Sequence, residues 1–100
     1  MLEVIETTIY SEWIAGLTDL RARGRIAVRI DRLAAGNPGD VKSVGEGVSE
    51  LRIDYGPGYR VYFTRKGRLV VLLLCGGDKS TQERDIVTAK AIAKEYKNAR

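Results

Sequence analysis

Apolar positions near the start of the chain recur at three- and four-residue spacing, whereas those from Ser49 onward alternate with polar residues. The first spacing stacks side chains on one stripe of a helix, and the second sends them to one face of a strand. Leu2, Val4 and Ile5, flanked by Glu3 and Glu6, predict a short first strand. Ser11 is a suitable N-cap for a helix carrying Trp13, Ile14 and Leu17. A second helix is expected from about Asp19 to Ala35, where Ile26, Ile30 and Leu33 share a stripe. Gly36-Asn37-Pro38-Gly39 ends it, a C-cap glycine followed by a proline that cannot continue the helix. The two segments read as a helical hairpin, weakened at Gly24 where one helix is expected to hand over to the other.

The second half reads as sheet. In Ser49 to Tyr55, Leu51, Ile53 and Tyr55 alternate with Glu50, Arg52 and Asp54. After Gly56-Pro57-Gly58 the pattern resumes, with Tyr59, Val61 and Phe63 against Arg60, Tyr62 and Thr64. A turn at Lys66-Gly67 leads into the unbroken apolar run Leu69 to Cys75, which implies burial on both faces. Gly76-Gly77 is expected to break that strand. Ser80 with Glu83 then suggests a capping box for a last helix, with a stripe of Ile86, Ala89, Ile92 or Ala93, and Tyr96. Helices followed by consecutive antiparallel strands indicate an α+β fold, with the helices packed on one face of the sheet. One domain is expected over residues 1–100, because so short a chain has no room for a second core.

A three-residue glycine–proline–glycine loop would set Tyr55 opposite Tyr59. Counting outward pairs Asp54 with Arg60, Ile53 with Val61, Arg52 with Tyr62, and Leu51 with Phe63. Leu51, Ile53, Val61 and Phe63 then face the helices, while Glu50, Arg52, Asp54, Arg60, Tyr62 and Thr64 share an open face. Arg52 and Arg60 on that face are placed to converge on a phosphate, and Tyr62 to stack on a base. A solvated sheet face shows the same alternation, and in that reading Asp54–Arg60 is a cross-strand ion pair of small worth. Lys79, after Gly76-Gly77-Asp78 and just before the last helix, is either part of a simple turn and cap or a further anion contact. Arg21, Arg25, Arg29 and Arg32 form a ridge along the second helix, either solvated surface or a contact for RNA or an acidic partner.

Composition narrows these options. An apolar fraction of 44% is ordinary for a folded globule. The one cysteine, Cys75, cannot form an internal disulfide and fits a reducing cytoplasm. Glu3 and Glu6 interrupt any signal-peptide run, and Leu69 to Cys75 is too short to span a bilayer, so a cytoplasmic protein without membrane contact is expected. Seventeen Lys and Arg against thirteen Asp and Glu leave a net charge of +4, which admits a polyanionic partner. The chain has no histidine, which excludes imidazole acid–base chemistry and His metal sites. Glu50 and Asp54 share a face without the dense carboxylate cluster a metal needs, so neither metal nor cofactor is expected.

The run from Gly47 to Phe63, with its Tyr55-Gly56-Pro57-Gly58-Tyr59-Arg60-Val61-Tyr62-Phe63 core, resembles the addiction-module killer proteins of the RelE/ParE superfamily. So does Leu72 to Gln82, and the arginine-rich helix and the Gly36–Asp40 segment extend the likeness over nearly the whole chain. It is most similar to the phage-derived, HigB-like branch. The resemblance implies a RelE-like α+β toxin of a type II toxin–antitoxin pair, with an N-terminal strand, a helical hairpin on one sheet face and a C-terminal helix. It implies an endoribonuclease that cuts messenger RNA, often on the ribosome, without a metal. It also implies a cognate helix-turn-helix antitoxin through which alone operator DNA is reached. Arg60 matches the arginine that binds the scissile phosphate region, Arg52 the basic position on the preceding strand, and Lys79 a basic residue after the last strand. Catalytic roles are therefore expected for Arg60, Lys79, Arg52 and, as candidate base, Glu50. RNA contacts are expected from Tyr62, Arg52, Arg60, Lys79, Arg25 and Arg29. Some relatives use a histidine or a C-terminal tyrosine near the cleaved bond; this chain has no histidine, and its Tyr96 is expected on the apolar stripe of the last helix, which leaves its proton-transfer groups open. The superfamily also holds ParE-type gyrase inhibitors, which share the fold without cutting RNA and form the alternative.

Overall fold

The computed structural model describes residues 1–98. Five strands form one sheet in the order β1-β5-β4-β3-β2: β1 (Glu3–Glu6), β2 (Val41–Gly45), β3 (Val48–Arg52), β4 (Arg60–Lys66) and β5 (Val70–Gly77). The helices are α1 (Thr8–Gly16), α2 (Leu20–Ala34) and α3 (Gln82–Asn98), the last preceded by a 3-10 turn at Lys79–Thr81. β1 runs parallel to β5, and the other pairs are antiparallel. This is the α+β class expected, consistent with a RelE-like fold.

Local boundaries follow their capping chemistry. Thr7, not Ser11, caps α1: its hydroxyl accepts from the Tyr10 N–H at 3.1 Å and donates to the Leu74 carbonyl at 2.7 Å. Ser11 lies inside the helix and donates instead to Glu6. Asp19 caps α2 by accepting from the Arg21 and Ala22 amides, so the handover lies at residues 17–19 and Gly24 is interior to α2. The capping box at the last helix belongs to Asp78 and Thr81 rather than to Ser80 and Glu83. Gly76 and Gly77 do not break β5 but form its last two positions. Both are there for space: a side chain on Gly76 would strike the Trp13 indole, and one on Gly77 would strike the Asp85 carboxylate.

The sequence pattern also missed β2, a five-residue strand whose burial is weak and which carries a bulge between Ser43 and Gly45. The β3–β4 register differs from the expected one by two residues. Arg52 pairs with Arg60, Leu51 with Val61 and Glu50 with Tyr62, because the connection spans residues 53–59 and closes on an Ile53 N–H to Tyr59 carbonyl bond of 2.9 Å. A slip of one residue would have exchanged the faces, whereas a slip of two preserves them.

Both faces are nevertheless covered. α1 and α2 pack with Leu51, Ile53, Val61, Phe63, Val71 and Leu73 in one cluster that includes Tyr10, Ile26 and Leu33. α3 packs on the opposite face, where Ala89 and Ile92 meet Val48, Tyr62, Leu72, Leu74 and Cys75. The expectation of helices on a single face, with the polar one left open, is therefore corrected. The stripe of α3 is apolar enough to require a partner, and the sheet is the surface within reach. Among the described residues, no helix is long and apolar enough to cross a membrane.

Candidate functional site

The polar residues of β3 and β4 meet near the first turn of α3. Arg52 and Arg60 are direct cross-strand partners, an arrangement that repels unless each charge is neutralised. Each has its own acid. Arg52 meets Asp40 at 3.2 Å on the surface, and Arg60 meets Glu50 at 3.6 Å through its Nε. The second pair is buried: the Glu50 side chain has 0% of its surface exposed and that of Arg60 has 11%.

Glu50 is held by more than charge. Its Oε2 accepts from the Tyr62 hydroxyl at 3.0 Å and from the Gln82 side-chain amide at 2.8 Å. Its Oε1 has no hydrogen-bond partner and neither has Arg60 Nε, so the two side chains meet as an ion pair without a hydrogen bond. Burying a carboxylate is tolerated only when opposite charge and donors surround it, and here two elements supply them: β4 contributes Arg60 and Tyr62, and α3 contributes Gln82. The Tyr62 phenol is pushed well above its usual range, first by burial and then by its bond to Glu50. Tyr62 thus stays a neutral donor.

The expected placement of these residues is met in part. Arg60, Arg52, Glu50 and Tyr62 do share one face. Glu50 and Tyr62, however, are covered by α3 and present no surface to a ligand, so neither stacking on a base nor direct proton transfer is open to them in this arrangement. Asp54 does not pair with Arg60 but sits exposed in the β3–β4 loop.

Lys79 does come to the cluster. Its backbone N–H donates to the Pro57 carbonyl at 3.4 Å, which ties the turn after β5 to the β3–β4 loop. Gly58 lies between them with a φ of +80°, a conformation that favours glycine, and a Cβ there would be in ordinary contact with Lys79 Cβ at 3.4 Å and Arg60 Nη1 at 3.6 Å. Arg60 Nη1 also donates to the Gly58 carbonyl at 3.3 Å. Lys79 is exposed, so it and the outer edge of Arg60 form a cationic rim over a buried, braced interior.

Arg25 and Arg29 lie on the other side of the sheet and are engaged with the chain itself. Arg25 sits 4.8 Å over the Tyr55 ring, and the Tyr55 hydroxyl donates to Asp19 at 3.2 Å. Arg29 donates to the carbonyls of Arg52, Pro38 and Asp40, bracing the segments that lead into β2 and out of β3. Arg25 and Arg29 thus stabilise two loops from the face opposite Arg60.

One contributor was missed. Gln82 carries no motif, and only the packing of α3 brings its amide to Glu50. Tyr59 lies where the apolar alternation puts it, half-buried against the α1–α2 cluster and edge-on to Trp13 at 6.3 Å between ring centres. Among the described residues no group of His, Cys, Asp and Glu is arranged to hold a metal ion.

Comparison with known proteins agrees with this geometry in extent. A family model described as "Phage derived protein Gp49-like (DUF891)" matches residues 12–97, which include every member of the cluster. The chain is also 50% identical over 94 residues to an uncharacterised protein of Haemophilus influenzae, an alignment covering 94% of this chain and 95% of that relative.

Proposed function

The chain belongs to the phage-derived Gp49-like family, and from that premise we propose that it is the toxin of a type II toxin–antitoxin pair, acting as a metal-independent endoribonuclease on messenger RNA. The observation that carries the reading is Arg60, whose Nε lies 3.6 Å from the buried Glu50 carboxylate and whose Nη1 donates to the Gly58 carbonyl, in the turn that the Lys79 backbone also meets. Fixed cations of this kind stabilise charge that develops on a phosphate without reorganising as the reaction proceeds. The resemblance to the RelE/HigB branch supports the same assignment.

In this mechanism the ribose 2′-oxygen attacks the adjacent phosphorus and the 5′-oxygen leaves, giving a cyclic phosphate and a free hydroxyl. Arg60 and Lys79 neutralise the phosphorane, and Arg52 extends the cationic rim. Glu50 acts through Arg60: with Tyr62 and Gln82 it fixes the guanidinium and takes no proton from the substrate. Proton transfer then falls to water or to the ribosome, which also positions the messenger. The partners in this reading are messenger RNA and a helix-turn-helix antitoxin in the cytoplasm, with operator DNA reached only through the antitoxin.

Cleavage of a messenger on programmed ribosomes, with wild type beside Arg60→Ala, tests the proposal. Loss of one preorganised charge predicts a fall of about 100- to 1,000-fold. Equal cutting by both proteins would sink it, and so would induction that halts DNA supercoiling before translation.

A further inference from the structure

A second cationic surface lies at the opposite end of α3. There the last turns of the helix, the end of β4 and the β2–β3 turn enclose a groove of about 690 Å³. Its rim carries Arg65, Lys66, Lys90, Lys94 and Lys97 against, among the described residues, the carboxylate of Glu46. Three of these cations already have contacts: Lys90 pairs with Glu46 at 3.5 Å, Lys66 donates to the Tyr96 carbonyl at 3.4 Å, and Arg65 donates to the Arg68 carbonyl at 3.4 Å. The second is what a lysine beside a helix C-terminus ordinarily does. Arg65 and Lys94 are exposed and pair with no carboxylate among the described residues, which leaves the rim with uncompensated charge.

The floor differs in kind from the rim. Ala93 and Tyr96, the latter 39% exposed, line it, while Leu72 behind them belongs to the buried core. An apolar floor under a cationic rim suits a ligand that is itself two-sided, with apolar groups to bury and anionic groups to meet the lysines. A nucleic-acid strand would satisfy the rim but find one ring to stack a base on, Tyr96, among the described lining residues.

We propose that this groove docks an acidic amphipathic segment of a partner protein, its apolar side chains on Ala93 and Tyr96 and its carboxylates against Arg65 and Lys94. The site lies at the far end of α3 from Gln82. An occupant therefore leaves the Arg60–Lys79 rim uncovered, and docking does not depend on RNA cleavage. α3 is the common wall, since its first turn braces Glu50 and its last turns line the groove.

Fluorescence anisotropy with the full-length protein and a labelled 15-residue peptide, glutamates on one helical face and leucines on the other, tests this directly. Saturable binding is expected, at least about tenfold tighter than for a scrambled peptide of the same composition and weakening as salt is raised. The Arg65→Glu, Lys94→Glu double variant should reduce affinity at least about tenfold, whereas Arg23→Glu on α2 should leave it unchanged. Both reversals lie on exposed side chains, and circular dichroism checks that the double variant is folded. Absence of saturable binding, equal binding of the scrambled peptide, or equal binding by the folded double variant overturns the proposal. An oligoribonucleotide that displaces the peptide and is lost with the same reversals also overturns it, because the groove would then be a general anion surface. A peptide that binds here while Arg60→Ala cuts RNA normally would remove the nuclease reading and leave the groove standing.

Discussion

The two faces of the sheet are buried by helices of similar kind and yet hold different interiors. Beneath α1 and α2 the cluster is hydrocarbon and aromatic throughout, from Leu51 and Val61 to Phe63 and Leu73. Beneath α3 a carboxylate, a guanidinium and a phenol lie among Val48, Leu72, Leu74 and Ile92. Burial stabilises the first face directly, at about 25 cal/mol per Å² of apolar surface removed from water. On the second, a buried ion pair adds little net stability, because desolvation offsets its attraction. Its gain is geometric: Arg60 is held in one place at the edge of the fold. One face is built to hold the chain together and the other to hold a charge still.

Paired substitutions on β3 break this comparison most sharply. Glu50→Ala leaves Arg60 buried without its counter-ion and should cost about 3–5 kcal/mol in chemical denaturation. Leu51→Ala, one residue along on the other face, should cost a similar 2–5 kcal/mol through the cavity it opens. Cleavage separates them. Per folded molecule, Leu51→Ala should cut normally, while Glu50→Gln, which keeps an acceptor for Tyr62 and Gln82, should fold and still lose activity. Full activity in folded Glu50→Gln would show that the buried pair is structural only.

A smaller effect comes from Cys75, whose thiol burial pushes up to about 12 from an ordinary 9.0. The unfolded chain loses this proton first, so its contribution is intact below about pH 9 and declines as pH rises toward 12. Between pH 9 and 10, before most tyrosines of the unfolded chain ionise, the decline approaches about 1.4 kcal/mol per pH unit. Cys75→Ala should flatten that limb in urea melts taken across the range. An unchanged slope would mean that the α3 face admits water to the thiol.

The smallest change is expected at the surface pair. Asp40→Ala frees Arg52, whose side chain is 37% exposed beside a 57% exposed Asp40, and should shift stability by no more than about 1 kcal/mol. A loss as large as that of Glu50→Ala would erase the distinction between the two arginine–acid pairs.

What could be read from the residues was what depends on local period. Alternation assigned Leu51, Ile53, Val61 and Phe63 to one face and Glu50, Arg52, Arg60 and Tyr62 to the other. That assignment survived a two-residue error in register, because side-chain direction repeats every second position. The stop after α2 and the apolar run of β5 were legible for the same reason: proline, glycine and continuous hydrophobicity act where they stand. β2 was not legible, since five weakly buried residues with a bulge become a strand only beside β3.

The sequence by itself therefore determined which side chains travel together. The tertiary structure alone decided whether they meet water. α3 follows the sheet in the chain, and nothing in the alternation of β3 and β4 records that its Ala89 and Ile92 will close over Tyr62, or that Gln82 will reach Glu50. Helix docking joins residues more than thirty positions apart, and its outcome is the difference between an open catalytic face and a buried brace with one cationic edge left free.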